Sequence, residues 1–452
     1  SHVASYVRKR SLPACARVSK GWYQAFIPHI WKDIHFVDFA HFSTQRPELE
    51  AIPRYSHHVK NLDIRVENLD LDLPQCPNLQ SLMLDKYSRS TELVLNHPHL
   101  TDLCIYGGLL LPDLWTILPQ LHSLRELGLH IAVVPEQETD TFWQLCTRLE
   151  RLRVSYLSIP HPGQLSSMTF PGLKDLTIGH PKDLPTILEF MSKCPNLEVL
   201  RWTGRRIRQD SYDLVERIAA KTWPHLHRIS FEHLKIHDDE LISILHSLQQ
   251  MTYLKAECIS VIPSSTMDLL RPHFASLTAL ELELYAQPSA SRIAQEMLSS
   301  CPLLEQLSFL HIDATVIAEG KPWVCTRLKF LAMQLQFDPM TISEIQPRVF
   351  EQMARLYRLD YLRLCTRFRE RLPFQTTVDL RLENGLDKLS TLRSLRVIMF
   401  EYLIQKMGEK EVEWMLEHWK SLERINGKCN GVDPVMQDKL VQLLKEHGVV
   451  VP

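Results

Sequence analysis

The chain has 452 residues, 45% of them hydrophobic and 23% charged, an ordinary balance for a soluble protein with a large core. Lys plus Arg (51) nearly cancels Asp plus Glu (53), so no global field draws the chain to nucleic acid or an anionic membrane, and no run of 18 apolar residues is present to cross one. Only 14 glycines, and cysteines with no CxxC pair, argue against Gly-rich phosphate loops and structural zinc.

Residues 1–45 lack the pattern of the rest. Apolar residues fall at Leu12, Cys15, Val18, Trp22 and Phe26, then at Ile30, Trp31 and Ile34, which is helical spacing interrupted by Pro28. Two or three short helices docked against the remainder of the chain are expected here.

From Val59 onward one phrase returns: an apolar residue, two free positions, an apolar residue, one free position, and a third apolar residue. Copies begin at Val59, Leu79, Leu100, Leu124, Leu149, Leu173, Leu197 and Leu226, then at Leu254, Leu277, Leu304, Leu328, Leu359, Leu392 and Leu422. The copy at Leu254 (LKAECI) is degenerate, with Glu257 where an apolar residue belongs. The fifteen copies recur about every 26 residues, inside the range of the leucine-rich repeat. A turn such as CPNL (Cys76, Cys194), CPLL (Cys301), CTRL (Cys146, Cys325) or HPHL (His97) precedes the strand starts, and its Cys or aromatic is expected to pack into the core. Helical spacing lies between copies, for example at Leu184, Ile187, Leu188 and Met191, and at Leu241, Ile244, Leu245 and Leu248 behind the acidic start Asp238-Asp239-Glu240. The expected fold is therefore α/β: residues 46–452 as a solenoid of about fifteen repeats, with parallel strands on a concave face and helices on a convex one, behind a small all-α segment at 1–45.

The free strand positions point away from the core. They read as a basic block from Arg151 to Arg228 (Arg151, Arg153, Arg201, Arg228), an acidic block at Glu281, Glu283 and Glu305, and a second basic block from Arg363 to Arg396, with Tyr361 beside it. Such blocks suit a charged peptide or protein better than a small apolar ligand, and these residues are the expected target-binding set. Two arginine clusters, Arg201/Arg205/Arg206/Arg208 and Arg363/Arg367/Arg369/Arg371, have the fork geometry to read carboxylate or phosphate.

SLPACARVSKGWYQAFIPHIWKDI, residues 11–34, resembles the latter part of an F-box, through Leu12, Cys15, Val18, Ser19, Lys20, Trp22, Ile30 and Trp31. The opening Leu-Pro-x-Glu-Ile helix of that motif would precede Val3 and is absent. With the repeats behind it, and with EVEWMLEHWKSLERING (411–427) similar to a closing repeat, the chain resembles the F-box/leucine-rich-repeat proteins abundant in fungi. That resemblance implies a substrate receptor of a Skp-cullin-F-box type ubiquitin ligase. Leu12, Pro13, Val18, Trp22 and Trp31 would contact the Skp-type adaptor, and the repeats would hold a protein target. The competing reading is an interaction scaffold with no ligase role. No hydrolase, metalloprotease, Walker or dinucleotide motif appears, so the expectation is a protein that is not an enzyme, with no cofactor and no metal. Scattered cysteines and the lack of an Asn-x-Ser/Thr acceptor point to cytosol or nucleus.

Overall fold

The structure is a computed structural model that describes residues 11–37, 52–65, 75–85, 90–107, 112–159, 163–204, 208–258, 266–284, 288–364 and 378–451. The chain divides into two compact units, one made of residues 1–204 with 222–225, the other of 205–221 with 226–452.

The first unit opens with two helices, α1 (Leu12–Ala16) and α2 (Lys20–Ile30). Ser19 caps α2 by accepting the Trp22 N–H at 3.2 Å. The helix runs through Pro28 and is not interrupted there. Pro28 lies in the helix's last turn, two residues before its end at Ile30, and that turn still closes through Trp31 N–H on the Ile27 carbonyl. The third predicted helix is instead a strand. Eight strands make up this unit's sheet: β1 (Asp33–Val37), β2 (Asn61–Arg65), β3 (Ser81–Asp85), β4 (Asp102–Tyr106), β5 (Glu126–His130), β6 (Arg151–Ser155), β7 (Asp175–Gly179) and β8 (Val199–Thr203). A one-turn helix, α3 (Ile52–Tyr55), precedes β2.

Consecutive strands of this unit pair in parallel and in chain order, each with its sequence neighbours. Alternation sets the burial. In β6 Leu152 and Val154 are buried while Arg151 and Arg153 are exposed, and in β8 Leu200 and Trp202 are buried between half-buried Val199, Arg201 and Thr203.

The second unit repeats the arrangement with β9 (Arg228–Ile236), β10 (Tyr253–Cys258), β11 (Ala279–Leu284), β12 (Gln306–Asp313), β13 (Phe330–Gln336), β14 (Tyr361–Arg363), β15 (Val397–Met399) and β16 (Arg424–Asn426), again parallel and sequential. Helices between strands bury one face. In Leu184–Ser192 Ile187, Leu188 and Met191 are buried behind an Asp183 cap, and in Asp238–Ser247 Leu241, Ile244 and Leu245 are. Glu240 holds the His237 N–H at 2.8 Å. Each unit is a leucine-rich-repeat solenoid.

All fifteen predicted copies meet a strand, and three details change. Register places the tenth strand's phrase at Met251 (Met251, Leu254, Ala256, all buried), three residues before the predicted start, so Glu257 does not occupy an apolar slot. The fifteenth strand's phrase starts at Leu395 (Leu395, Ile398, Phe400), three after the predicted Leu392. Leu392 holds the turn position, its carbonyl accepting the Leu395 N–H at 3.1 Å, as that of Cys76 does for Leu79. A sixteenth copy, Trp31-Lys32-Asp33-Ile34-His35-Phe36, forms β1, so the sheet starts inside the segment assigned to helices and not at residue 46.

Candidate interaction surfaces

The residue just before each strand forms a row along each unit, because its carbonyl accepts backbone N–H groups from the next repeat. From β5 to β8 this row reads Arg125, Glu150, Lys174, Glu198, with Arg125 Nε 3.7 Å from Glu150 and Lys174 Nζ 3.2 Å from Glu198. From β12 to β16 it reads Glu305, Lys329, Asp360, Arg396, Glu423. Lys329 sits 2.8 Å from Glu305, and Arg396 lies 3.6 Å from Asp360 and 2.8 Å from Glu423. Over these two stretches charge alternates one repeat at a time, and Lys329 with Arg327 holds Glu305 below the usual carboxylate range.

The strand positions on the open face follow the same logic. Arg151 is ion-paired with Glu126, which also lies 3.8 Å from Arg153, and Arg201 meets Asp175 at 2.6 Å. In the second unit Arg228 lies over the Tyr253 ring at 5.2 Å, the Tyr253 hydroxyl donates to Glu281 at 3.2 Å, and Lys255 pairs with Glu232 at 2.7 Å. Burial, then Glu281, pushes the Tyr253 hydroxyl up. Tyr361 stacks on Phe330 with centroids 4.8 Å apart, its hydroxyl against the Met399 sulfur, while Arg363 stands in register between Ala332 and Met399.

The single-sign blocks expected from sequence are therefore not present as blocks among the described residues. Glu126 occupies in its repeat the position that Arg151 occupies in the next, and it cancels the arginines across the strand gap. Glu232, from the preceding strand, pairs with Lys255. The sequence signal was there, in the third letter of LRELGL. Of the two arginine clusters, Arg205, Arg206, Arg367, Arg369 and Arg371 lie outside the described residues, as do the side chains of Arg208 and Glu283.

The remaining open face of the first unit is a mixed polar and aromatic surface. Asp63 receives a two-pronged contact from Arg65 at 2.8 and 2.7 Å, Arg65 lies over Tyr106 at 5.3 Å, and Tyr106 stacks on His130 at 4.4 Å. Burial and then Arg153 lower the His130 pKa, and burial raises that of Tyr106 to about 12. Beside this stack lies a hollow of about 180 Å³, floored by Cys104 and Gly128 and walled by Met83, Asp102, Glu126 and Arg153. Gly128 makes it, since a side chain there would stand over Cys104.

The predicted adaptor-contact residues divide. Leu12 is buried with Ala16 and Phe26 in a small core of the helical pair itself, and Pro13 is exposed. Val18 is 65% and Trp22 44% exposed. Trp31 is half-buried, takes the first apolar position of the β1 repeat and stacks on Tyr55 at 4.7 Å. Tyr23, which sequence reasoning passed over, bonds the Tyr55 hydroxyl at 2.6 Å.

No protein-family model matches the chain. No curated protein matches it either. Among solved structures it is similar to an internalin (InlF) from Listeria monocytogenes, at 13% identity and TM-score 0.36, covering 81% of this chain and 83% of that one. It is also similar to TLR13 in a complex with single-stranded RNA, at 16% identity and TM-score 0.32, covering 96% of this chain and 59% of that one. Identities and scores this low carry no argument about function, and the repeat fold rests on the strand order and register above. Among the described residues no helix is long and apolar enough to cross a membrane.

Proposed function

We propose that the chain is the substrate-recognition subunit of a Skp-cullin-F-box type ubiquitin ligase, in which α1 and α2 bind the Skp-type adaptor and the repeats hold a protein target. Its role is to hold, not to catalyse, and the ligase chemistry belongs to its partners in cytosol or nucleus. The observation that supports this reading is the helical pair. It has its own core of Leu12, Ala16 and Phe26, yet leaves Val18 and Trp22 in solvent, where burial against a partner is favourable by about 25 cal/mol per Å². Apolar side chains that merely capped the first repeat would turn inward.

The contacts of Tyr23 and Trp31 with Tyr55 favour the second reading, a capped interaction scaffold, because they tie α2 to the repeats. Immobilised Skp-type adaptor separates the two. The parent chain is captured, and Val18→Asp with Trp22→Ala loses at least tenfold in affinity while unfolding within about 1 kcal/mol of the parent, as exposed substitutions do. A parent chain that is not captured, or a double variant captured as well, leaves the scaffold.

A further inference from the structure

We propose that the hollow over Gly128 is the anchor seat for one neutral, apolar side chain of an extended target segment, an aromatic ring for preference. This deepens the target-holding role of the repeats proposed above and rests on it, but does not depend on the adaptor.

Size comes first. The hollow measures about 180 Å³, and an apolar cavity of roughly 150 Å³ takes a benzene ring. Chemistry comes next. Its floor is the Cys104 thiol and the bare Gly128 backbone, with the Met83 thioether on the neighbouring strand, and sulfur makes favourable contacts with ring edges. Its charges cancel: Asp102 and Glu126 stand against Arg151 and Arg153, and Glu126 takes both arginines. An ion entering would have to break those pairs, whereas a ring lies against the Arg153 guanidinium without doing so. Asp102 accepts the Thr101 hydroxyl at 2.6 Å and is likewise occupied. An apolar floor within a satisfied polar rim is the arrangement of an interface anchor pocket.

A second observation lies on the same strands. Ile131 (φ 58°) and Tyr156 (φ 54°), immediately after β5 and β6, both adopt the left-handed conformation that branched and bulky side chains avoid. Their N–H groups donate to the Ser155 and Gly179 carbonyls at 2.7 Å, which locks the turn, and the Ile131 and Tyr156 side chains stay exposed. Ile131 is three steps along the chain from Gly128, about 10 Å at strand rise. An extended segment anchored in the hollow has a second apolar contact within reach.

The test uses the full chain and simple probes: N-acetyl amides of phenylalanine, leucine, aspartate and lysine, followed by ligand-observed saturation-transfer NMR. Phenylalanine amide is expected to give the strongest transfer and the two charged amides the weakest. Met83→Trp, at a half-exposed position, fills the hollow and is expected to cut the phenylalanine signal at least fivefold. Gly128→Ser with Cys104→Ala, which removes the colliding thiol, is a second filling variant in case the first fails to fold. Equal transfer from charged and aromatic amides, or an undiminished signal in a folded filled variant, overturns the proposal. Adaptor capture plays no part in this readout, so either reading can fail while the other stands.

Discussion

His97 and His273 each take a backbone N–H from the preceding repeat: Cys76 N–H donates to His97 Nε2 at 3.2 Å and Met251 N–H to His273 Nδ1 at 3.1 Å. Glutamines also bridge the backbone of neighbouring repeats. Gln346 donates to the Asp379 and Asn384 carbonyls and accepts the Asp379 N–H, while Gln405 bridges Leu380 N–H and the Val378 carbonyl. Both are fully buried, so Gln346→Ala leaves backbone groups without partners in the interior and should cost about 3 kcal/mol in a denaturant melt, at roughly 1–3 kcal/mol per stranded group. An unchanged midpoint would mean water replaces the amide. Burial lowers the His273 pKa below its ordinary value, so the folded chain resists a proton that the unfolded chain accepts. Stability from this residue is complete above the unfolded pKa, near 6.5, and drains away as pH falls below it, at up to about 1.4 kcal/mol per pH unit. His273→Gln should flatten that slope between pH 7 and 5, and a slope equal to the parent's would refute the assignment. None of these bridges was legible in the sequence, because a lone Gln or His carries no period and its partner lies some 20 to 40 residues away.

At the scale of the element, the strand phrase was legible because three apolar positions at fixed spacing are a core requirement of every layer. It slipped where the requirement is met by other residues. Leu392, Leu395 and Val397 satisfy the spacing as well as Leu395, Ile398 and Phe400 do, and only the pairing of Val397 with Tyr361 chooses between them. Met251 was passed over for Leu254, and Trp31 was absorbed into the helical reading of residues 1–45. Charge was misread for a related reason. The basic block from Arg151 to Arg228 counted the arginines of several repeats and left out the carboxylates of the repeats beside them, Glu126 and Asp175, that pair with Arg151, Arg153 and Arg201. Lys329→Glu sets three carboxylates side by side at Glu305, 329 and Asp360. Exposed pairs are worth about 0–1 kcal/mol, so the expected loss is near 1 kcal/mol at low salt and shrinks at high salt. A loss independent of salt would show that packing, not charge, orders this row.

Across the whole molecule, the proposed function assigns different work to different parts of the chain. The repeats form two solenoid units with buried layers and an open strand face, which the proposal gives to a target, and the helical pair before them leaves Val18 and Trp22 exposed, which the proposal gives to an adaptor. The resemblance in residues 11–34 pointed to that pair, and the structure adds which residues are available. Leu12 is spent on the pair's own core and Trp31 on the first repeat, whereas Val18 and Trp22 remain at the surface. Hydrogen exchange of the chain, alone and with a Skp-type adaptor, tests this division most directly. New protection is expected to be confined to the amides of residues 12–30, with β3 to β7 exchanging as in the free chain. No protection anywhere, or protection on those strands instead of the helices, would contradict the division.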